Sequence, residues 1–149
     1  MKHFLVTGAA GFIGSNLVEY LLTNGYQVTG LDNLSTGTEA NLKFTQTHPN
    51  KNNFTFLKED IRNLESCQKA CQNVDFICHH AALASVPKSL ENPTMFHDNN
   101  VTGTLNMLHA AKDQQIKKFV FASSSAVYGD HPSIKKNESL PTTPLSPYA

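Results

Sequence analysis

The sequence predicts an α/β fold in which a doubly wound parallel sheet carries helices on both faces. Short apolar segments alternate with segments in which apolar residues recur at helical spacing, and this alternation is typical of parallel sheets with crossover helices. A glycine-rich turn joins the first apolar segment to the first helical one. Polar residues follow the ends of the predicted strands, which is where ligands bind in such sheets.

The predicted strands and helices alternate along the chain. Short, mostly apolar runs predict strands at residues 3–7, 27–31, 54–57, 74–78 and 118–122. Apolar residues at helical spacing predict helices at 12–23, 63–72 and 94–113, with a weak helix around 38–45. Asn24-Gly25 ends the first helix. Residues 131–147, rich in Pro, Ser, Thr and Lys, are predicted to be loop.

The order of the strands follows from their connections. Crossovers between parallel strands are right-handed, which with a central first strand predicts the order 3-2-1-4-5. The residues after the strands then share one edge of the sheet, at positions 8, 32, 60, 79–82 and 123–125. We therefore expect the functional site at this edge.

Size and composition narrow the class of protein. The chain has 149 residues, enough for one domain with a core. Twelve basic and twelve acidic residues cancel, so charge does not favour nucleic acid or a membrane surface as a partner. No apolar run could span a membrane, and the apolar residues near Met1 stop at Thr7, too early for an export signal. We expect a cytoplasmic location.

Three cysteines bear on redox state and metal binding. An odd count without an export signal predicts reduced thiols at Cys67, Cys71 and Cys78. Cys67 and Cys71 are four residues apart and lie near His79 and His80, but the C-x-x-C spacing of structural zinc sites is absent. We predict core-facing thiols and no metal.

The glycine-rich turn predicts a phosphate site. Gly8, Gly11 and Gly14 follow the first strand with the spacing G-x-x-G-x-x-G and open the first helix. Such glycines permit a tight turn, close approach of a pyrophosphate and close packing of helix on sheet. Free N–H groups at the helix start, at Phe12 and Ile13, would face the phosphates. The alternative is a tight turn that binds nothing.

Asp32 indicates which dinucleotide would bind. It ends the second strand, 18 residues after Gly14, and is followed by Asn33 rather than by an arginine. A carboxylate there accepts hydrogen bonds from ribose hydroxyls and repels a 2′-phosphate, so NAD is favoured over NADP. The alternative role for Asp32 is that of a turn former.

With these residues in place, the chain resembles the extended short-chain dehydrogenase/reductase family of nucleotide-sugar epimerases and dehydratases, which has a Rossmann-like fold. The matching segments span the chain: Thr7–Gly14, Asp32–Gly37, Asp60-Ile61, His79–Ala82, Asn99–Val101, Ser123–Gly129 and Pro147–Ala149. The resemblance implies a NAD-binding domain over residues 1–149, ending before the last strands and a C-terminal substrate domain.

The resemblance also implies the cofactor contacts. Asp60 and Ile61 would flank the adenine, Asn100 would position the cofactor and a helix, and the remaining contacts would come from Asn33, Ser35, Thr36, Gly37, Ala81, Ala82, Ala84, Ser123 and Tyr148. The alternatives are a helix cap and a core residue at Asp60-Ile61, and polar filler at Asn99-Asn100.

By the same resemblance, Tyr148 is the general base on a sugar hydroxyl and Ser124 hydrogen-bonds the same oxygen, with Ser125 assisting. Tyr128 is a rival tyrosine that the family pattern assigns to a structural role. The lysine that the family pairs with the tyrosine would fall three residues beyond Ala149. We therefore expect this chain alone not to complete a catalytic cycle.

The residues after Ser124 indicate the reaction. Related dehydratases have Asp-Glu there, whereas this chain has Ser125-Ala126, so elimination would lack its acid and base. We predict a UDP-hexose 4-epimerase, with a transient 4-keto sugar. The alternatives are a nucleotide-sugar dehydratase or reductase, and a non-catalytic NAD-binding module.

Residues 31–37, 84–87 and 128–132 also resemble bacterial UDP-N-acetylglucosamine 4-epimerases of surface-polysaccharide synthesis. This finer likeness implies that Ser85 and Val86 contact the UDP-sugar, beside Ser124 and Ser125. The full-length enzyme would be a homodimer. The helix that would carry Tyr148 would pair with the helix at 94–113 of the second subunit, and without it we expect exposed apolar surface around Leu105, Met107, Leu108 and Ala111.

Overall fold

The computed structural model describes all residues from 1 to 149. Its strands are β1 (His3–Thr7), β2 (Gln27–Leu31), β3 (Phe54–Leu57), β4 (Phe76–His79) and β5 (Lys118–Phe121). Its α-helices are α1 (Phe12–Thr23), α2 (Leu64–Ala70), α3 (Val86–Glu91), α4 (Pro93–His97) and α5 (Gly103–Asp113). Short 3₁₀ helices occupy Glu39–Gln46, Lys51–Asn53 and Ser125–Tyr128, and a π-helical turn at Asp98–Thr102 joins α4 to α5.

The five strands form one parallel sheet in the order β3-β2-β1-β4-β5, which confirms the predicted order. The register brings the carboxyl ends of the strands into one row, formed by Leu57, Leu31, Thr7, His79 and Phe121. Residues that follow each strand therefore meet at a single edge of the sheet, as the sequence predicts.

Most element bounds agree with the predicted ones, and two regions differ. The predicted helix at 94–113 is divided by the π-helical turn, and α3 lies before it in a segment for which no helix is predicted. The Ser85 hydroxyl caps α3 by accepting a hydrogen bond from the Lys88 N–H at 3.3 Å, and Pro87 lies in its first turn. Residues 131–147 contain no helix or strand, as predicted.

The core has two parts because successive side chains of a strand face opposite sides of the sheet. Leu5 faces α2 and α5, whereas Val6 faces α1. Cys67 and Cys71 are fully buried with Leu5, which confirms their predicted place in the core. Burial raises the pKa of both thiols to about 12, so they stay protonated at neutral pH. No three metal-ligating side chains lie together.

The apolar surface predicted on the helix at 94–113 is partly wrong. Met107 and Ala111 are buried, because their spacing of four residues points both toward the sheet and α2. The exposed apolar side chains on the opposite face are Val101, Leu105 and Leu108, which are 54%, 52% and 46% exposed. None of the helices has the combination of length and hydropathy required to cross a membrane.

Candidate functional site

The glycine-rich turn between β1 and α1 is closely packed. Gly8 has a φ of +68°, and a Cβ at Gly14 would overlap the Gly8 carbonyl oxygen, so both positions require glycine. The N–H groups of Phe12, Ile13 and Gly14 donate to no acceptor within the protein. These N–H groups form the positive end of α1 and are available to an anion.

Hydrogen bonds to the Ala10 peptide group connect the turn to neighbouring segments of the chain. The Ala10 N–H donates to Asp32 Oδ2 at 2.9 Å. The Ala10 carbonyl accepts hydrogen bonds from the Thr38 N–H at 3.1 Å and from Asn41 Nδ2 at 2.8 Å. A Cβ at Gly37 would lie 2.9 Å from the Ala10 carbonyl carbon. Only glycine at position 37 therefore allows this segment to pack so closely against the turn. The turn is therefore preorganised.

Asp32 lies at the end of β2 and is 8% exposed. Its Oδ1 accepts the Leu34 N–H at 2.8 Å, so each carboxylate oxygen has one backbone partner and keeps a further acceptor site. Asp32 lines a small cavity of about 40 Å³. The other lining residues are Gly8, Leu31, Asn33, Ser35, Thr36, Glu59, Ile61, Ala81, Ala82, Leu83 and Asn99.

A second cavity, of about 140 Å³, lies toward β5. It is lined by His79, His80, Ala81, Ala82, Asn100, Thr104, Phe121, Ala122, Ser123, Ser124, Val127, Tyr148 and Ala149. Ala81 and Ala82 line both cavities, so the two are neighbours along the carboxyl edge of the sheet. The structure thus brings Ser124 and Tyr148 to one cavity, and none of the residues that line it is an aspartate or a glutamate.

The second cavity has two fixed walls. The Asn100 side chain donates to the Leu83 carbonyl at 2.9 Å and accepts the Leu83 N–H at 2.8 Å, which fastens the loop after β4 to the π-helical turn. The Tyr148 ring meets the buried Phe96 ring edge-on, with centroids 6.3 Å apart. Ser124 Oγ accepts the Ala126 N–H at 3.2 Å, which leaves the hydroxyl proton free to donate.

Asp60 lies outside both cavities, whereas its neighbour Ile61 lines the first and is buried in the core. The Asp60 carboxylate accepts hydrogen bonds from Arg62 at 2.7–3.2 Å and from Asn33 Nδ2 at 2.9 Å. The Arg62 guanidinium is the main reason that the pKa of Asp60 falls to about 2. Asp60 is therefore already occupied by protein donors.

Other predicted site residues lie apart from the cavities. Ser125 is exposed, in the short 3₁₀ helix that follows Ser124. Ala84 is exposed, Ser85 caps α3, and Val86 is 41% exposed in the first turn of that helix. The rival Tyr128 also lines neither cavity.

Three polar residues at the second cavity were assigned no role from the sequence, and two of them, His79 and Thr104, line it. His79 is 2% exposed, and its Nδ1 and Nε2 lie 2.8 Å from Thr7 Oγ1 and 3.0 Å from Thr104 Oγ1. Burial, followed by the charge of His80, lowers the pKa of His79 to about 4. The signal in the sequence is a polar residue at the end of each of two otherwise apolar strands, but spacing alone does not reveal that Thr7 and His79 are adjacent.

The chain is similar to known proteins over nearly its whole length. Residues 5–149 match the family model described as GDP-mannose 4,6 dehydratase. The chain is 42% identical to a UDP-glucuronate 4-epimerase of Thermodesulfobacterium geofontis, over 100% of this chain and 47% of that protein. The chain spans about half the length of the curated relatives it matches.

Two solved structures are similar in fold and sequence. One is a UDP-N-acetylglucosamine 4-epimerase from Methanobrevibacter ruminantium in complex with UDP-N-acetylmuramic acid, with a TM-score of 0.88, 41% identity and coverage of 99% of this chain and 46% of that one. The other is the Thermus thermophilus UDP-glucose 4-epimerase in complex with NAD, with a TM-score of 0.86, 39% identity and coverage of 98% and 46%.

Proposed function

The chain belongs to the NAD-dependent epimerase/dehydratase family whose model is described as GDP-mannose 4,6 dehydratase, and from this premise we propose that residues 1–149 are the NAD-binding domain of a UDP-hexose 4-epimerase. The observation that carries the proposal is the second cavity. Ser124 and Tyr148 both line it, and no aspartate or glutamate does. An epimerase needs no carboxylate for its proton transfers, whereas elimination of water needs an additional acid and base.

The residues of the carboxyl edge fit NAD. The free N–H groups of Phe12, Ile13 and Gly14 suit a pyrophosphate, beside Gly8 and Gly11. The remaining acceptor sites of Asp32 suit ribose hydroxyls, with Asn33, Ser35, Thr36 and Gly37 nearby and Asp60 and Ile61 toward the adenine. The nicotinamide half would lie along Ala81, Ala82, Ala84, Asn100, Ser123 and Tyr148. The NAD complex of the similar Thermus thermophilus enzyme supports this choice of cofactor.

The proposed chemistry divides between cofactor and protein. Bound NAD would accept a hydride from C4 of the sugar and return it to the opposite face. Tyr148 takes the proton of the sugar 4-hydroxyl and later gives it back. Ser124 donates its free hydroxyl proton to the same sugar oxygen, because its Oγ already accepts the Ala126 N–H. The family resemblance assigns an assisting role to Ser125, which follows Ser124 in the chain and lies outside the cavity.

Two other functions remain as alternatives. The family description itself names a dehydratase, and a non-catalytic NAD-binding module would need the same cofactor edge. The deciding experiment incubates the full-length protein with NAD and UDP-hexoses, and follows the products by mass spectrometry and proton NMR. We expect gluco and galacto forms to interconvert without loss of water and without net release of NADH. A dehydrated product would support the first alternative, and bound NAD without turnover the second.

Substrate, assembly and location are further parts of the proposal. Identities of 41%, 39% and 42% to epimerases named for UDP-N-acetylglucosamine, UDP-glucose and UDP-glucuronate support a UDP-sugar substrate, either N-acetylated or not, with Ser85 and Val86 at the UDP-sugar and a place in polysaccharide synthesis. The exposed apolar face of Val101, Leu105 and Leu108 supports a homodimer. The three free cysteines are consistent with the cytoplasm.

A further inference from the structure

Along one wall of the second cavity, a chain of hydrogen bonds crosses three elements, β1, β4 and α5. It begins at the His80 and Ala81 N–H groups, which both donate to Thr7 Oγ1 of β1 at 3.1 Å. It continues through the His79 ring to Thr104 of α5. Thr104 Oγ1 ends the chain by donating to the Asn100 carbonyl at 2.6 Å. The His79 imidazole therefore connects the backbone of His80 and Ala81 to Asn100.

The direction of each hydrogen bond follows from the donors and acceptors available. A carbonyl only accepts, so the Thr104 hydroxyl proton goes to Asn100, and Thr104 Oγ1 must accept from His79 Nε2–H. A neutral ring with its proton on Nε2 has a bare Nδ1, which accepts the Thr7 hydroxyl proton. Every proton of the chain then has an acceptor, and no buried polar side-chain atom is left without a partner.

We propose that His79, as the neutral Nε2–H tautomer, is a positioning residue that fixes the His80–Ala82 backbone and Asn100 for the nicotinamide half of the cofactor. The identity of the ligand, NAD, rests on the proposed function, whereas the hydrogen-bond geometry around His79 is independent of it. His79 acts through its neighbours, because Thr7 and Thr104 take both of its nitrogens and leave none for a ligand.

The surroundings of His79 favour one neutral tautomer. The Phe119 and Phe121 rings lie 5.5 Å and 6.1 Å from the imidazole, centroid to centroid. Burial lowers the pKa of both His79 and His80, and a positive charge on His80 would further oppose one on His79. A second proton, on Nδ1, would meet the Thr7 oxygen, which already accepts two N–H groups.

His3 provides a matched control within the chain. Like His79 it is buried, but it lies in β1, at the amino end of the strand and away from the carboxyl edge. Its Nδ1 lies 2.8 Å from the Asn73 carbonyl and its Nε2 lies 2.8 Å from Thr29 Oγ1. Because the Asn73 carbonyl can only accept, His3 carries its proton on Nδ1, the tautomer opposite to that of His79.

The first test measures the tautomers directly, in the full-length protein with isotope-labelled histidine. Long-range proton–nitrogen correlation spectra separate protonated from bare ring nitrogens. We expect a bare Nδ1 for His79 and a protonated Nδ1 for His3. A doubly protonated His79, or one with its proton on Nδ1, would overturn the proposal, whether or not the protein binds NAD.

The second test measures NAD affinity by calorimetry in Thr104→Val, Thr104→Ser and His3→Gln variants, each confirmed as folded by circular dichroism. Thr104→Val leaves the His79 Nε2–H without an acceptor, so we expect NAD affinity to fall about tenfold. Thr104→Ser keeps the hydroxyl and should stay within about twofold of the unmodified protein. His3→Gln should lower the melting temperature without changing NAD affinity.

The outcomes separate this proposal from the proposed function. Equal NAD affinity in Thr104→Val and Thr104→Ser would overturn the positioning role while leaving NAD binding intact. Equal losses in Thr104→Val and His3→Gln would show a general effect of stability and would also overturn it. If the unmodified protein binds no NAD, the proposed function fails, and the tautomer measurement still decides the geometry.

Discussion

Asp32 Oδ2 accepts the Ala10 N–H at 2.9 Å, although 22 positions separate the two residues. The bond ties the end of β2 to the glycine-rich turn that follows β1, so one carboxylate fixes the turn and also faces the first cavity. A hydrogen bond from a backbone N–H to an ionised carboxylate is stronger than one between neutral groups. In the proposed function, Asp32 therefore links the stability of the turn to the choice of cofactor.

We expect the Asp32→Asn variant to bind NAD more weakly and to prefer NAD over NADP by a smaller margin. The amide keeps one acceptor oxygen but presents donors to the Ala10 or Leu34 N–H, and it no longer repels a 2′-phosphate. Calorimetric titration with both dinucleotides measures the two affinities. The interpretation of Asp32 is wrong if the unmodified protein binds NADP as tightly as NAD.

Asp75→Asn is the control for this prediction. Asp75 precedes β4 at the opposite edge of the sheet, where it accepts the His3 N–H and pairs with Lys117. Its replacement should change stability without altering the ratio of NAD to NADP affinity.

Two glycine substitutions should differ in their cost to stability. A Cβ at Gly14 would overlap the Gly8 carbonyl oxygen, which belongs to the backbone and cannot turn aside. We expect Gly14→Ala to reach the upper end of overpacking costs, about 3 kcal/mol. Gly25→Ala meets no atom within 4 Å but has a φ of +76°, so it should cost about 1 kcal/mol. Urea denaturation of both variants measures the difference, and equal costs would contradict the packing argument.

Local patterns explain which parts of the fold could be predicted from the sequence. The bounds of β1, α1 and β2 follow from apolar runs and from the turn at Gly25, all of which are local signals. The π-helical turn at Asp98–Thr102 gives no such signal, because it keeps the helical spacing of apolar residues. The inward direction of Met107 was missed for a related reason, since helical spacing alone does not say which face meets the sheet.

The candidate site likewise contains residues that could be predicted from local motifs and residues that could not. Ser124 and Tyr148 could be selected from short motifs, and the structure brings them to one cavity. The ion pair between Asp60 and Arg62 was not foreseen, although the residues are two apart, because spacing gives no side-chain direction. The bond between His79 and Thr7 depends on the pairing of β1 with β4, which joins residues 72 positions apart.

Tyr148→Phe in the full-length protein should abolish turnover and leave NAD affinity nearly unchanged, since it removes the hydroxyl and keeps the ring against Phe96. Ser124→Ala should cost less, roughly 10²–10⁴-fold in turnover number, as is typical of positioned acid–base groups. Steady-state rates with UDP-hexoses measure both effects. Tyr128→Phe is the control and should stay near the unmodified rate. Loss of activity in Tyr128→Phe, with Tyr148→Phe active, would reassign the base.

His79 should make the stability of the protein depend on pH on the acid side of neutrality. Its pKa is about 4 in the folded protein and 6.5 for an unperturbed histidine. Above pH 6.5 the ring is neutral in both states and contributes no slope. Between 6.5 and 4 the unfolded chain binds a proton that the native protein does not, so the free energy of unfolding falls as the pH falls.

The expected loss across this window is on the order of 3 kcal/mol, from the difference between the two pKa values. Asp60 acts in a lower window, because its pKa falls from 3.8 to about 2 and its stabilisation is lost only as the pH drops through that range. Urea denaturation at pH 7, 5.5 and 4.5 should therefore detect the effect of His79 but not that of Asp60. His79→Gln should be less stable at pH 7 but lack this part of the slope, whereas His3→Gln should keep it. A His79→Gln variant with the unmodified pH dependence would show that another group accounts for the acid sensitivity.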